Sequence, residues 1–146
     1  MERVIVHVRG AQTDPEGETS CIETVAEGRH YYKGGKHYVL YDDQMTDTGE
    51  VSTVLKIEPA AMVLLRSGAI CQEQRFVVNE ESISEYRTPF GSLQMAVRTE
   101  KLDVVYGSVT GNIDVIYAMS IDGQVQSQNE LHIEVTIPEG EARRLN

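Results

Sequence analysis

Apolar residues recur at every second position through most of the chain. Val4, Val6 and Val8 alternate with Ile5, His7 and Arg9. Val51, Thr53, Leu55 and Ile57 alternate with Ser52, Val54 and Lys56, and Leu93, Met95 and Val97 with Gln94, Ala96 and Arg98. Ile113, Val115, Tyr117 and Met119 form a fourth set, and Leu131, Ile133, Val135 and Ile137 a fifth. Strands turn successive side chains to opposite faces, whereas an amphipathic helix repeats near 3.6 residues. No helical stripe of useful length is present; the only room for helix is a short turn near 14–19 or 82–85.

Turn residues divide these runs at short spacing. Gly34 and Gly35 suit the positive φ angles of a two-residue hairpin. That turn sets Tyr32 across from His37 and Tyr31 across from Tyr38. Ser67-Gly68 predicts a second hairpin, with Leu65 facing Ile70, Leu64 facing Cys71 and Met62 facing Glu73. At Asp122-Gly123 a simple two-residue loop would put Leu131 opposite Asp114. Burial favours Leu131 opposite Val115 and Ile133 opposite Ile113, because a one-residue slip sends the apolar set to the wrong face. A longer loop or a compensating bulge is therefore expected. Pro59, Asn79 and Pro89 mark breaks.

The pattern predicts an all-β protein of eight to ten antiparallel strands, since the links are too short for crossover helices. Such strands stack as a sandwich or curl into a barrel. The long runs at 21–33, 101–109 with 111–121, and 130–137 favour the barrel, which also removes exposed edges.

The 146 residues suit one domain, read as residues 1–138 followed by a polar tail at 139–146. Hydrophobic residues at 40% and charged residues at 25% fit a globular chain with its own core. The formal net charge is −10, and Arg143-Arg144 is the only paired run of arginine. Nucleic acids and anionic membrane surfaces are poor partners for such a chain. No apolar run approaches the ~20 residues of a spanning helix, and no signal peptide is recognisable, so a cytoplasmic location is expected. Cys21 and Cys71 are read as small buried hydrophobes, not as a disulfide or a metal pair.

Leu65-Arg66-Ser67-Gly68-Ala69, followed by Gln74-Arg75-Phe76, resembles the small bacterial YwiB-like family, whose domain is the domain of unknown function DUF1934. Further matching pieces are residues 28–32, 38–41, Tyr86-Arg87-Thr88 with Phe90-Gly91, then Gly111, Ile113 and Tyr117, and finally Asn129, Leu131 and Ile133. The resemblance spans about 4–136. It implies a single antiparallel closed β-barrel of the calycin or lipocalin type, and it carries over no activity, substrate or catalytic residue. One departure is Asp42-Asp43, where relatives often carry glutamate after the tyrosine that aligns with Tyr41.

In a barrel, the face of the Ser67-Gly68 hairpin that bears Met62, Leu64, Arg66, Glu73 and Arg75 is the chemically interesting one. An inward guanidinium needs an anion or a set of acceptors. Arg66, Glu73 and Arg75, with Tyr86 and Tyr117, are the candidate interior residues for a small acidic or amphipathic ligand. The plainer alternative ties Arg66 and Arg75 to Glu73, Asp42 or Glu27, or leaves them in solvent. His30 and His37 share a face but not a metal-site spacing, so they are read as surface histidines. No nucleophile elbow, metalloprotease helix or phosphate loop is present. The expectation is a non-catalytic barrel without cofactor or metal, monomeric or homodimeric. One competing expectation is a filled barrel serving as an interaction module, with an exposed apolar patch of Ile83, Tyr86 and Phe90; another is an uncharacterised hydrolase-type enzyme, with a perturbed ionisable group beside an open pocket.

Overall fold

The computed structural model describes residues 1–45 and 49–138; the tail read at 139–146 lies outside them. Ten strands follow one another: β1 (Glu2–Thr13), β2 (Thr19–Lys33), β3 (Lys36–Met45), β4 (Gly49–Glu58), β5 (Ala61–Gly68), β6 (Gln72–Phe76), β7 (Glu81–Thr88), β8 (Gly91–Tyr106), β9 (Gly111–Ile121) and β10 (Gln124–Thr136). They make one sheet in the order β6-β5-β4-β3-β2-β1-β10-β9-β8-β7. All its ladders are antiparallel. Neither stretch with room for a helical turn forms one. Residues 82–85 belong to β7, and the Asp14 carboxylate instead holds a tight turn by accepting from the Glu16 and Glu18 backbone N–H groups at 3.0 and 2.9 Å.

The sheet winds 351° about its axis, leaving a seam where β6 meets β7. Full closure, as the sequence led one to expect, is therefore not reached. Two features bridge the seam. Cys71 and Arg87 exchange backbone hydrogen bonds of 3.0 Å in both directions, and the buried Ser84 hydroxyl donates to Gln74 Oε1 at 2.9 Å.

Registers follow from turn chemistry. Gly34 and Gly35 have φ of 61° and 79°, and Tyr32 pairs with His37 and Tyr31 with Tyr38, as the two glycines require. The β9–β10 turn is a two-residue one, with Asp122 at φ 51° and Gly123 at φ 81°. A bulge between Val125 and Ser127 then shifts the ladder so that Leu131 meets Val115 and Ile133 meets Ile113. Burial of the apolar face thus overrides the simple register.

The β5–β6 link departs from expectation. Gly68 does not close a hairpin but continues to pair with Val51. Residues 69–71 then cross toward β7, with Ile70 buried and Ala69 N–H bonded to Glu50 O. Met62 consequently pairs with Phe76, Leu64 with Gln74 and Arg66 with Gln72. The offset is odd, so β6 presents the opposite face: Gln72, Gln74 and Phe76 join Arg66 inside, while Glu73 and Arg75 are exposed outside. Gly68 sits at φ 110°, and a Cβ there would lie 2.6 Å from Glu50 O. Gly68→Val is expected to cost about 2–3 kcal/mol and lower the melting temperature by roughly 6–10 °C. Gly17→Val is the control for backbone strain alone, because a Cβ at Gly17 meets nothing within 4 Å.

Candidate ligand-binding site

Contacts between strands that are not sheet neighbours must cross the lumen, and three sets of them decide its shape. At one end, His30 of β2 and His37 of β3 meet Tyr106 of β8. His30 Nε2 and His37 Nδ1 are 2.9 Å apart, sharing a hydrogen bond. Tyr106 stacks on His30 at 5.7 Å and 15°, lies 4.1 Å from the His37 ring, and donates its hydroxyl to Val109 O at 2.7 Å. The pair expected at the surface is thus an end plug, with His30 only 3% exposed. Next to it, Val4, Val39, Leu55, Ile57, Met62, Ile113 and Val135 pack into a continuous core. In mid-barrel, Phe76 of β6 meets Tyr117 of β9 with ring centroids 5.2 Å apart.

Beyond that aromatic pair the barrel is hollow. A cavity of about 410 Å³ is bounded by Leu64, Met95, Val97, Met119 and Leu131 on its apolar side and by Arg66, Gln72, Gln74, Tyr86 and Asn129 on its polar side. Gln74 Oε1 is held by Ser84, and its amide donates to Arg75 O. Asn129 donates to Ser127 Oγ. Ile22 and Leu93 also face this space, yet are 66% and 50% exposed. They therefore mark an open mouth, which the exposed Gln12, Ser20 and Glu130 also border.

Arg66 is the one Lys or Arg among the residues that line the cavity. Among the described residues its Nε–H is buried with no acceptor, and the Thr53 hydroxyl, across the ladder from it, is likewise buried without a partner. Among the described residues the alternative ties do not form at Arg66: Asp42 accepts from Ser52 at 2.9 Å, Glu27 reaches Arg3 at 4.0 Å, and Glu73 faces outward. Burial pushes the Tyr117 phenol above its ordinary pKa, and the Arg66 charge partly offsets this. Tyr117 therefore remains a neutral hydroxyl near neutral pH.

Of the five candidate residues, Arg66, Tyr86 and Tyr117 share the cavity, whereas Glu73 and Arg75 are displaced by the β5–β6 register. Tyr86 pairs with Leu93 and faces inward, so it does not join the exposed Ile83 and Phe90 in one patch. Cys21 and Cys71 are free and exposed, contrary to the buried reading: Cys21 lies on the outer side of β2, and Cys71 in the crossing segment. Sequence reasoning passed over the plug, because the burial of His30 depends on a tyrosine from a distant strand. It also passed over Gln72 and Gln74, which it placed on the wrong face. Among the described residues no group of three His, Cys, Asp or Glu side chains is placed to hold a metal.

The plug makes stability depend on pH. Burial holds the His30 imidazole below its ordinary pKa, followed by the neighbouring His37; Glu2, opposite it in the ladder, opposes this, and the N-terminal amine adds slightly to the lowering. Burial also lowers His37. Tyr32 packs on His37 and Tyr106 on both rings. In the unfolded chain these imidazoles take up protons near pH 6.5, so below that value the unfolded state binds more protons than the folded one. This contribution to stability is complete above about pH 6.5 and is lost as pH falls below it. The urea midpoint should fall between pH 7 and 5, and less steeply in His30→Gln; equal slopes in the two proteins would contradict the assignment.

No helix among the described residues is long and apolar enough to cross a membrane. Comparison with known proteins places this geometry. The chain is 30% identical over 129 residues to the uncharacterized beta-barrel protein YwiB of Bacillus subtilis, covering 88% of this chain and 87% of that one. The crystal structure of the ywiB protein from Bacillus subtilis matches with a TM-score of 0.85 at 26% identity, over 94% of this chain and 92% of that chain. The model of the domain of unknown function DUF1934 matches residues 6–133, and the chain belongs to that family.

Proposed function

We propose that the protein is a non-catalytic barrel of the calycin type that holds one small molecule, bearing an anionic group, in its lumen. The observation that carries this reading is Arg66: a guanidinium that lines the cavity with its Nε–H buried and without an acceptor. A buried charged donor left unpaired is costly, and an anion in the lumen supplies the missing acceptor. The cavity volume of about 410 Å³ lies within the ordinary range for small-molecule sites, and its wall is largely apolar, as such sites are. A binding role rather than a catalytic one is supported by the polar groups themselves. The Gln74 and Asn129 amides are engaged in fixed hydrogen bonds, and the Tyr117 phenol is pushed away from the pH at which it would exchange protons.

The fluorescent anion anilinonaphthalenesulfonate and its uncharged analogue phenylnaphthylamine test this reading. The sulfonate is expected to bind at one site per chain, at least tenfold tighter than the uncharged dye. Equal affinities, or several weak sites, would show that the lumen does not select an anion.

A further inference from the structure

The outer side of β3, β4 and β5 is not built like a wall that faces water. An antiparallel strand with one wet face alternates apolar-in and polar-out, whereas an unbroken apolar run marks a strand covered on both faces. β5 is apolar from Ala61 to Leu65 without a break, and β3 from Tyr38 to Tyr41. Val39, Tyr41, Leu55, Met62 and Leu64 fill the inward side. Their neighbours therefore point outward, in two rows fixed by the ladders. One row is Arg29, Leu40, Val54, Leu65 and Glu73; the next is Tyr31, Tyr38, Lys56, Val63 and Arg75. The aliphatic members of both rows are half-buried. The fold is one sheet, so among the described residues no second layer covers this side.

Charge decides what would cover it. The chain carries 13 Lys and Arg against 23 Asp and Glu, yet the two rows hold the cations Arg29, Lys56 and Arg75 and a single carboxylate, Glu73. None of these cations has a side-chain partner among the described residues. Lys56 is half-buried between Tyr38 and Val63, and the adjacent Glu58 is taken by Lys36 at 3.3 Å. An ammonium in such a place gains most from a carboxylate brought by a partner that also excludes water. We infer that the outer face of β3–β5 docks an acidic polypeptide, whose apolar side chains lie on Leu40, Val54 and Leu65 and whose carboxylates reach Lys56, Arg29 and Arg75. Tyrosine and arginine, which frame the patch, are residue types in which protein interfaces are rich. A second copy docking through the same face would set these cations against their own kind. Anionic membranes and nucleic acids meet a chain of net charge −10, and aliphatic side chains half-sunk in the wall do not project into a bilayer. The surface lies on the opposite side of the wall from the lumen, so it stands whether or not the lumen holds a ligand.

The test titrates the full chain, labelled with 15N, with a short synthetic peptide of leucine and glutamate at helical spacing, and with its counterpart carrying lysine in place of glutamate. The glutamate peptide is expected to shift the amide signals of Val54, Lys56, Val63 and Leu65 saturably, and those of Val97 and Met119 on the far strands not at all. The lysine peptide should bind at least about tenfold more weakly. Lys56→Glu should weaken the glutamate peptide at least about tenfold, and the milder Lys56→Gln about threefold or more. Both variants change an outward side chain, so their melting temperatures should stay within about 3 °C of the parent. Patch signals that do not move with the glutamate peptide, that respond equally to both peptides, or that respond in the two variants as in the parent, overturn the docking surface. Phosphatidylglycerol vesicles or a thymidine oligonucleotide that move the same signals more strongly than the glutamate peptide overturn the polypeptide assignment.

Discussion

Replacing Arg66 with methionine raises the stability of the ligand-free protein and removes its selectivity for anions. Both effects have one cause. The Arg66 Nε–H is buried without an acceptor among the described residues, and an unpaired buried donor costs more than an apolar side chain of similar length. Methionine keeps the bulk and removes the charge. The expected gain is about 1–3 kcal/mol, or roughly 3–10 °C in melting temperature for a domain of this size. Binding of anilinonaphthalenesulfonate should fall at least tenfold, to the level of its uncharged analogue. Thermal melts with and without the dye measure both. A variant that is less stable than the parent would mean that Arg66 holds the fold through a structural ion pair, and the anion-site reading would fail with it.

The second large effect contrasts the two halves of the barrel. Leu55 has no exposure and sits in the packed half among Val39, Ile57 and Met62. Leu55→Ala removes buried methyl groups and leaves a void in a region that collapses poorly, so about 3–5 kcal/mol should be lost. Met119 is partly buried and borders the cavity. Truncating it enlarges an existing space, and Met119→Ala should cost only about 1 kcal/mol. Urea denaturation gives both values, and unchanged m-values would keep the comparison within two-state behaviour. Equal costs would mean that the space beside Met119 is as tightly packed as the other half.

The architecture was legible where local chemistry decides it. Alternation separated the two faces of β1, β4, β8, β9 and β10 without saying which points inward, and the two glycines set the β2–β3 register. The β9–β10 offset was legible too, because only one pairing buries Leu131 and Ile133 together. Legibility ended where a distant partner decides. Ser67-Gly68 has turn composition, but pairing of Gly68 with Val51 carries β5 onward and reverses the face of β6. Arg66 kept its predicted inward face because its position follows from β5 alone. Glu73 and Arg75 lost theirs because they depended on the turn. The histidine plug needed a stacking partner some seventy residues away, and period-two reasoning holds no information about contacts across a lumen. The seam had a local clue in the five-residue β6, too short to cover the eight residues of β7.

The filled-barrel alternative and the hollow-barrel reading each describe one half of the molecule. The core from Val4 to Val135 accounts for stability, and the space beyond Phe76 and Tyr117 is free for a ligand. The most direct test of that division is the Arg66 Nε–H resonance in a 15N-labelled sample. A distinct signal is expected, slow to exchange with water, that moves on addition of anilinonaphthalenesulfonate and saturates at one equivalent. A signal lost to rapid exchange with solvent, and unmoved by any anion, would place the guanidinium outside the barrel and contradict the account.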